Sequence, residues 1–368
     1  MKRIFTVLTS IALTFALSFS AAFANDDAFL KSQNYLKTIT LDSPDAVIAY
    51  EATGMEADYK ADALLNNFKE TDYTTASYGD LAKSIIAISL LGENPKDFNN
   101  TNLVEILENR VQEDGTLTND VNGGCGATIW TLMALETVNS SKVKAVADKL
   151  STMAMDNGAY WYEYKGPNAD LDTTGWAMEA LSVAGRSTYE AAISKAYTFV
   201  QSKLNSTDGY YDNWGGNADT QSCVLEGLSV AGYTLDTNAY NYLLSYQNED
   251  GTFNALNYST GQLEPNAYAS VEGARALGVI NNGSFVLKAR KDYTKTTTPV
   301  VTEPETPTTP TKPSTTTPAV KPETTTTEPK KETVKVVNTG DNTNVMAYVV
   351  AAVAAVGVIV LVIKSKKK

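Results

Sequence analysis

Short helices made almost entirely of apolar and small residues recur along the chain, and each runs into a glycine or an asparagine. Hydrophobic side chains on nearly every face predict that these helices are buried on all sides. The six segments are 45–54, 84–92, 131–139, 176–185, 223–232 and 270–278. Their last residues are separated by 38, 47, 46, 47 and 46 positions, and we expect each to close its helix in a left-handed cap conformation.

More amphipathic segments, such as 142–153 and 189–204, lie between the buried ones, and their charged faces are typical of an outer layer. A turn of Asp or Asn, Gly, any residue and then an aromatic residue or Leu recurs at 114–117, 157–160, 208–211 and 250–253. One inner and one outer helix per repeat predict an all-α fold, a single α/α (α6/α6) toroid of six helical-hairpin repeats. An open solenoid of the same repeats is the alternative.

Residues 1–24 have the pattern of a signal peptide. Lys2 and Arg3 precede an apolar stretch at 4–18, and Ala22-Phe23-Ala24 then forms a small-x-small cleavage pattern. We therefore expect an exported chain, with an uncleaved membrane anchor as the alternative reading of the same stretch.

Residues 291–340 predict a disordered stalk. Eight of the twelve prolines lie at 291–335, among threonine runs and with almost no large apolar side chains. Such a segment buries too little surface to offset the entropy lost on ordering, so we expect it to be extended.

Residues 341–368 predict a transmembrane helix with a basic tail, because the nineteen residues at 345–363 carry no charge. The lysines after them are expected on the cytoplasmic side. Thr339 and Gly340 precede the span, in an order that resembles the sorting signal of cell-wall-anchored proteins in Gram-positive bacteria. Val337 stands where that pattern has proline. The resemblance implies attachment to the cell wall through Thr339; the alternative is a retained membrane anchor, and both display the domain at 25–290 outside the cell.

The domain at 25–290 is strongly acidic, with 17 Lys and Arg against 35 Asp and Glu, a net charge of −18. A field of that sign repels nucleic acids and anionic bilayers, which are therefore excluded as partners. Histidine is absent from the sequence.

Two motifs resemble a known superfamily of helical toroids. The sequence QNEDGTF at 247–253 is similar to the Gln-x3-Gly-x-aromatic repeat of squalene cyclases and protein prenyltransferases. The sequence DTTGWAM at 172–178 is similar to the helix starts of the cobalamin carriers intrinsic factor and transcobalamin. The resemblance implies the toroid for 25–290 but little about function, since these relatives do unrelated things on one scaffold.

The chemistry of these relatives fits the chain incompletely. Asp172 stands where class II terpene cyclases have their acid, but Thr173 replaces the last Asp of their motif and the supporting His is absent. Asp172 is thus the acid of a terpenoid-cyclase-type enzyme or, in the simpler interpretation, a helix cap. Without His, the zinc site of prenyltransferases cannot be assembled, and we expect no metal.

Cys125 and Cys223 are the two cysteines. Thioester domains of complement and macroglobulins carry Gln three residues after their Cys, whereas Thr128 stands there in this chain, so we expect no thioester. The two cysteines either pair, as in other exported proteins, or remain buried thiols. We expect thiols, because the two lie on non-adjacent repeats.

Aromatic and polar side chains cluster in and beside the loops before the later inner helices. Such rings either stack on a flat or sugar-like ligand, with polar groups setting its orientation, or fill the centre as core. The candidate ligand-binding residues are Tyr160, Trp161, Tyr162, Asp172, Trp176, Tyr211, Trp214, Asp219, Gln221 and Tyr268.

The sequence therefore predicts a cell-surface-displayed binding protein whose ligand lies at the mouth of the toroid, near the N-termini of the inner helices. The resemblance to the carriers implies a corrinoid as the ligand, and a glycan or a partner protein are alternatives. A terpenoid-cyclase-type enzyme and a passive adhesin are the competing functions.

Overall fold

A computed structural model describes residues 26–56, 62–120, 123–162, 168–211 and 216–293. This part of the chain is predominantly helical, with two small antiparallel sheets. None of its helices is long and apolar enough to cross a membrane. The predicted signal peptide, transmembrane helix and anchor residues Thr339 and Gly340 lie outside the described residues, as does the predicted stalk beyond residue 293.

Six helices have mostly buried side chains and correspond to the predicted inner helices: α2 (Pro44–Ala52), α4 (Tyr78–Leu90), α6 (Cys125–Thr137), α8 (Leu171–Gly185), α10 (Ala218–Val230) and α12 (Ala267–Asn282). The remaining described helices are α1 (Asp26–Leu36), α3 (Asp62–Glu70), α5 (Leu103–Glu108), α7 (Val143–Met153), α9 (Glu190–Gln201), α11 (Thr237–Ser245) and α13 (Phe285–Ala289). The strands are β1 (Leu204–Asn205), β2 (Gly209–Tyr210), β3 (Phe253–Asn257) and β4 (Gln262–Asn266).

Each of the six buried helices packs against the next one, and α12 also packs against α2. Glycines allow some of these helices to approach with backbone against backbone. A Cβ on Gly227 of α10 would lie 2.1 Å from the carbonyl oxygen of Gly175 in α8. The succession of helix contacts therefore returns to the helix where it began.

The recurring Asp/Asn-Gly turns join each repeat to the next. A Cβ on Gly115 would lie 2.1 Å from the carbonyl oxygen of Ala145 in α7, and one on Gly158 would lie 2.3 Å from that of Lys195 in α9. The last turn makes the same contact with the first helix, since a Cβ on Gly251 would lie 2.1 Å from the Lys31 oxygen in α1. Gln247 adds a hydrogen bond from its Nε2 to the carbonyl oxygen of Ala28. The turn that follows α11 therefore contacts α1.

The predicted left-handed helix ends are confirmed at five of six positions. Positive φ angles occur at Gly54, Gly92, Asn139, Gly185 and Gly232. The sixth prediction is wrong, because Gly278 lies inside α12, which ends at Asn282 before Gly283. Gly278 serves packing instead, since a Cβ there would lie 2.7 Å from the carbonyl carbon of Ala52 in α2.

Two hairpins depart from the predicted all-α fold. β1 pairs with β2, and β3 pairs with β4 with Leu256 opposite Leu263. The second hairpin has five residues on each strand and Gly261, with a positive φ, at its turn. Both hairpins precede a buried helix, so they lengthen the loops at the N-terminal ends of α10 and α12.

Residues 284–293 cover the C-terminal ends of four buried helices. The hydroxyl of Ser284 donates to Glu179 (3.2 Å), and Lys288 Nζ donates to the carbonyl oxygen of Glu51 (2.7 Å). Arg290 forms an ion pair with Glu136, and Tyr293 donates to the carbonyl oxygen of Ser89 at 3.4 Å. The segment therefore covers much of this end, where a cavity of about 580 Å³ remains between the C-terminal ends of α2 and α4. The predicted ligand-binding residues that the structure describes lie at the opposite end of the helices.

Candidate functional site

The six buried helices begin at equivalent caps, so their interior-facing positions can be compared. The N-caps are Ser43, Ser77, Gly124, Asp170, Asn217 and Asn266. Two residues after the cap stand Asp45, Gly79, Gly126, Asp172, Asp219 and Tyr268. Six residues after the cap stand Ala49, Lys83, Trp130, Trp176, Cys223 and Glu272.

Side chains from these two layers contact one another between neighbouring helices. Lys83 Nζ lies 2.9 Å from Asp45 Oδ1 and 4.6 Å from the centroid of the Trp130 ring. Cys223 Sγ donates to Glu272 Oε2 at 3.7 Å. Since equivalent positions meet, the six helices run in the same direction, and their N-terminal ends form one surface, which we call the N-terminal face.

An aromatic cluster of Trp130, Trp176 and Tyr162 lies at this face. The centroids of the Trp130 and Trp176 rings are 5.7 Å apart, and those of Tyr162 and Trp176 are 6.3 Å apart. Gly126 has no side chain because the Tyr162 ring occupies that space, where a Cβ would lie 2.7 Å from Cε2. Trp176 is 7% exposed and its Nε1 has no hydrogen-bond partner among the described residues.

An acidic cluster is formed by Asp172 of α8, Asp219 of α10 and Glu272 of α12. Burial raises the pKa of Asp172 well above its usual range, and the charge of Asp170 raises it further. Burial and the charge of Glu272 raise the pKa of Asp219 to about 7. The Oδ1 atoms of Asp172 and Asp219 are buried and find no partner among the described residues. These carboxyl groups therefore hold protons more readily than exposed ones do.

The interpretation of Asp172 as a helix cap is wrong. The cap is Asp170, whose Oδ1 accepts the backbone N–H of Thr173 at 2.7 Å. Asp172 stands in the first turn of α8, where its side chain points away from the capping position and into the acidic cluster.

A deeper layer of charged side chains was not predicted. Arg275 is 1% exposed, and its Nε donates to both carboxylate oxygens of Glu226 at 3.1 and 3.0 Å. Burial and the charge of Glu226 raise the pKa of Glu179 well above its usual range. The sequence does contain a signal for this layer: Glu179 and Glu226 stand seven residues after Asp172 and Asp219, in helices that are otherwise apolar.

A cavity of about 540 Å³ opens at the N-terminal ends of α4 and α6. Gly79 leaves room for it at a position where four of the other helices carry Asp or Tyr, whereas the equivalent space at Gly126 is taken by the Tyr162 ring. A Cβ on Gly79 would meet only the Ser77 hydroxyl, at 3.9 Å. The polar and aromatic side chains in the lining come from Thr74, Thr75, Ser77, Tyr78, Arg110, Thr118, Asn119, Asp120 and Tyr162. We call this space the Gly79 cavity; Tyr162 joins it to the aromatic cluster.

The other predicted site residues divide between core and surface. Tyr160 is fully buried, and its N–H donates to Thr174 Oγ1 at 2.9 Å. Gln221 is also buried, where it accepts the N–H of Tyr210 at 2.8 Å and donates to its carbonyl oxygen at 2.7 Å.

Among the rest, Tyr211 and Tyr268 are about half exposed, at 48% and 53%. Trp161 lines a smaller cavity of about 450 Å³ beside Lys149. Trp214 lies outside the described residues. The structure therefore brings Tyr162, Asp172, Trp176, Asp219 and Tyr268 to one face and leaves Tyr160 and Gln221 as supports beneath it.

Both cysteines are free, buried thiols, as expected. Burial raises the pKa of Cys125 to about 12. Across the described ranges, no group of three or more Asp, Glu, Cys or His side chains is arranged to hold a metal ion.

Asp219 predicts a pH dependence of stability. Its pKa is about 7 in the folded protein, against an ordinary value of 3.8, so between these values the folded state retains a proton that the unfolded state has lost. Stability should then fall as the pH rises from about 4 to about 7, and stay level above that. Asp219→Asn should remove up to about 4 kcal/mol of this fall in the free energy of unfolding. Urea unfolding at pH values from 4 to 8 measures the free energy, and Glu93→Gln, which changes an exposed residue, is the control. If the free energy of Asp219→Asn changed with pH as that of the wild type does, the raised pKa of Asp219 would be wrong.

No known protein family matches this sequence, and no curated protein matches it. Among solved structures, the fold is similar to the crystal structure of a protein from Actinoplanes, with a TM-score of 0.44 and 11% sequence identity. That similarity covers 74% of this chain and 99% of the other. The function is therefore inferred from the geometry of the site.

Proposed function

We propose that this chain is an exported, surface-displayed protein that captures a ligand bearing hydroxyl or amide groups at the N-terminal face of an α6/α6 toroid. The Gly79 cavity carries this proposal, because its 540 Å³ is within the range of small-molecule sites. Hydroxyl, amide and carboxylate groups line it beside the half-exposed ring of Tyr162. A sugar ring of a glycan suits such a lining, since its hydroxyls bond to polar groups while its face stacks on an aromatic ring. A corrinoid-like ring is the second form of ligand.

The toroid is supported by two independent sets of contacts. The buried helices pack in order, with α12 against α2. The Asp/Asn-Gly turns pack on successive outer helices, with Gly251 against α1. The contact of α12 with α2 and that of the last turn with α1 support a closed toroid over an open solenoid.

The proposed display at the cell surface is based on the predicted signal peptide at 1–24 and the predicted anchor at 341–368. The orientation of the site within the domain is compatible with it. Residues 284–293 cover the C-terminal ends of the buried helices, so the chain reaches residue 293 at the end opposite the Gly79 cavity. A tether attached after residue 293 leaves the N-terminal face free to meet ligands from outside.

A terpenoid-cyclase-type enzyme is a second candidate, because burial raises the pKa of Asp172 and so supplies a protonated carboxyl group. Incubation with a linear isoprenoid, followed by mass spectrometry, separates the two functions. The binding protein should leave the isoprenoid unchanged; cyclised product that disappears in Asp172→Asn would favour the enzyme.

Filling the Gly79 cavity should abolish binding without disturbing the fold. The Cβ of residue 79 points into open space, so Gly79→Trp should place its ring in the cavity and weaken ligand binding at least about 100-fold. Isothermal titration calorimetry measures the affinity of each variant for the neutral oligosaccharide or corrinoid that the wild type binds. The thermal unfolding midpoint of Gly79→Trp should be close to that of the wild type.

Gly79→Ala is the matched control, because a methyl group leaves most of the cavity open. It should retain ligand binding. Full binding by a correctly folded Gly79→Trp would show that the ligand lies elsewhere.

A further inference from the structure

Among the described residues, only one of the three carboxyl groups of the acidic cluster has a counter-charge, since Arg275 Nη1 lies 3.6 Å from Glu272 Oε1. Lys83 forms an ion pair with Asp45 at 2.9 Å, and Arg275 bonds to Glu226. No lysine or arginine in the described part of the chain forms an ion pair with Asp172 or Asp219. The carboxyl groups of Asp172 and Asp219, which are partly buried, are therefore left to be neutralised by protons or by a ligand.

Buried polar atoms around the cluster are also unpartnered among the described residues. They include Oδ1 of Asp172, Oδ1 of Asp219 and the indole Nε1 of Trp176. Arg275 is 1% exposed; its Nη1 and Nη2 have no hydrogen-bond partner, and Nη1 is directed at Glu272 Oε1, 3.6 Å away. In native proteins such atoms are satisfied by ordered water or by a bound molecule, and the two unpartnered carboxylate oxygens each need a hydrogen-bond donor.

The neighbouring aromatic cluster suits a positive charge. The chain already places one ammonium group there, since Lys83 Nζ lies 4.6 Å from the centroid of the Trp130 ring. Trp176 and Tyr162 continue the aromatic surface from Trp130, and Tyr162 is 50% exposed. A cation entering from the N-terminal face would therefore meet aromatic rings and unpaired carboxyl groups together.

We propose that the captured ligand carries a protonated amine, which binds at the acidic cluster of Asp172, Asp219 and Glu272. This inference rests on the proposed function and names the chemistry of one part of its ligand. An ammonium group has three N–H donors and a full charge, so it satisfies the unpartnered oxygens and also neutralises the cluster. A hydroxyl group would donate to only one of these oxygens and would leave the negative charge of the carboxylates without a counter-charge.

The amine and protons compete for the same carboxyl groups. Other charged or titratable groups lie around the cluster: Asp170, Cys223, Glu226, Tyr268 and Arg275, with the Asp45–Lys83 pair beyond Arg275. Burial and the charge of Glu272 raise the pKa of Asp219 to about 7, so a bound amine must displace a proton at lower pH. Affinity should weaken about tenfold for each unit of pH below 7.

The test is a titration of the full-length protein with n-butylammonium and, as its neutral counterpart, 1-butanol, followed by tryptophan fluorescence. At pH 8, n-butylammonium should bind at least tenfold more tightly than 1-butanol. Asp219→Asn and Asp172→Asn replace a carboxyl by an amide of the same shape, and each should weaken the amine at least fivefold. Glu93→Gln removes an exposed charge beyond the C-terminal end of α4 and should bind as the wild type does.

Equal binding of n-butylammonium and 1-butanol would overturn the inference. So would wild-type affinity in both Asp variants. A natural ligand whose binding depends on Gly79 but not on Asp172 or Asp219 would also overturn it, while the proposed function stands. Selective binding of n-butylammonium would support the amine site whatever happens at the Gly79 cavity. If at the same time no neutral ligand lost affinity in Gly79→Trp, the proposed function alone would fail.

Discussion

Gly227→Ala should destabilise the protein by about 3 kcal/mol or more, because the new Cβ would lie 2.1 Å from the carbonyl oxygen of Gly175. Both atoms belong to or adjoin helix backbone, so relief requires α8 and α10 to move apart. Their separation would disturb the acidic cluster, since Asp172 and Asp219 lie on these two helices. For a domain of this size, thermal unfolding should show a midpoint lowered by roughly 6–12 °C.

Gly79→Ala is the control for this prediction. Its Cβ would meet only the Ser77 hydroxyl at 3.9 Å, so stability should be unchanged or raised by up to about 1 kcal/mol. A Gly227→Ala protein that melts with the wild type would contradict the close approach of α8 and α10.

Arg275→Met should destabilise the protein by about 3–5 kcal/mol, because it leaves Glu226 and Glu272 as buried charges without their cation. Urea unfolding at pH 8 measures the loss. The defect should shrink as the pH falls, since protonation removes the uncompensated charge. Adding Glu226→Gln to Arg275→Met should restore part of the stability for the same reason.

Lys144→Met provides the matched control, because the Lys144–Asp148 pair is exposed on α7. Its loss should change stability by at most about 0.5 kcal/mol. If Arg275→Met lost as little stability as Lys144→Met, Arg275 would not be the group that compensates the charges of Glu226 and Glu272.

Much of the helical organisation could be predicted from the sequence, because its signals are local. The glycine or asparagine after each buried helix fixes a backbone conformation, and five such positions have the expected positive φ. Gly278 shows the limit of that signal. Its role is to admit α2 at 2.7 Å, and a partner more than 200 residues away cannot be recognised from the local pattern.

The candidate site was predicted less completely, for the same reason. The sequence pattern identifies Asp172 and Asp219, but the raised pKa of each is due first to burial and then to nearby charges, which depend on the packing of helices. The Gly79 cavity depends on a missing side chain, and a glycine carries no chemical group that marks a binding site in the sequence. Tyr160 looked like Tyr162 in sequence, yet one is fully buried and the other is half exposed.

The most direct test of the central claim is a thermal-shift screen of the protein against neutral oligosaccharides, amino-sugar oligosaccharides, corrinoids and anionic polysaccharides. A ligand present at about 100 times its dissociation constant adds roughly 2.7 kcal/mol, which raises the midpoint by several degrees. We expect such a shift from a neutral or amine-bearing glycan or from a corrinoid, with one ligand per chain, and no shift from the anionic polysaccharides. A flat response to every neutral and amine-bearing ligand, or a response to the anionic ones alone, would contradict capture at the N-terminal face.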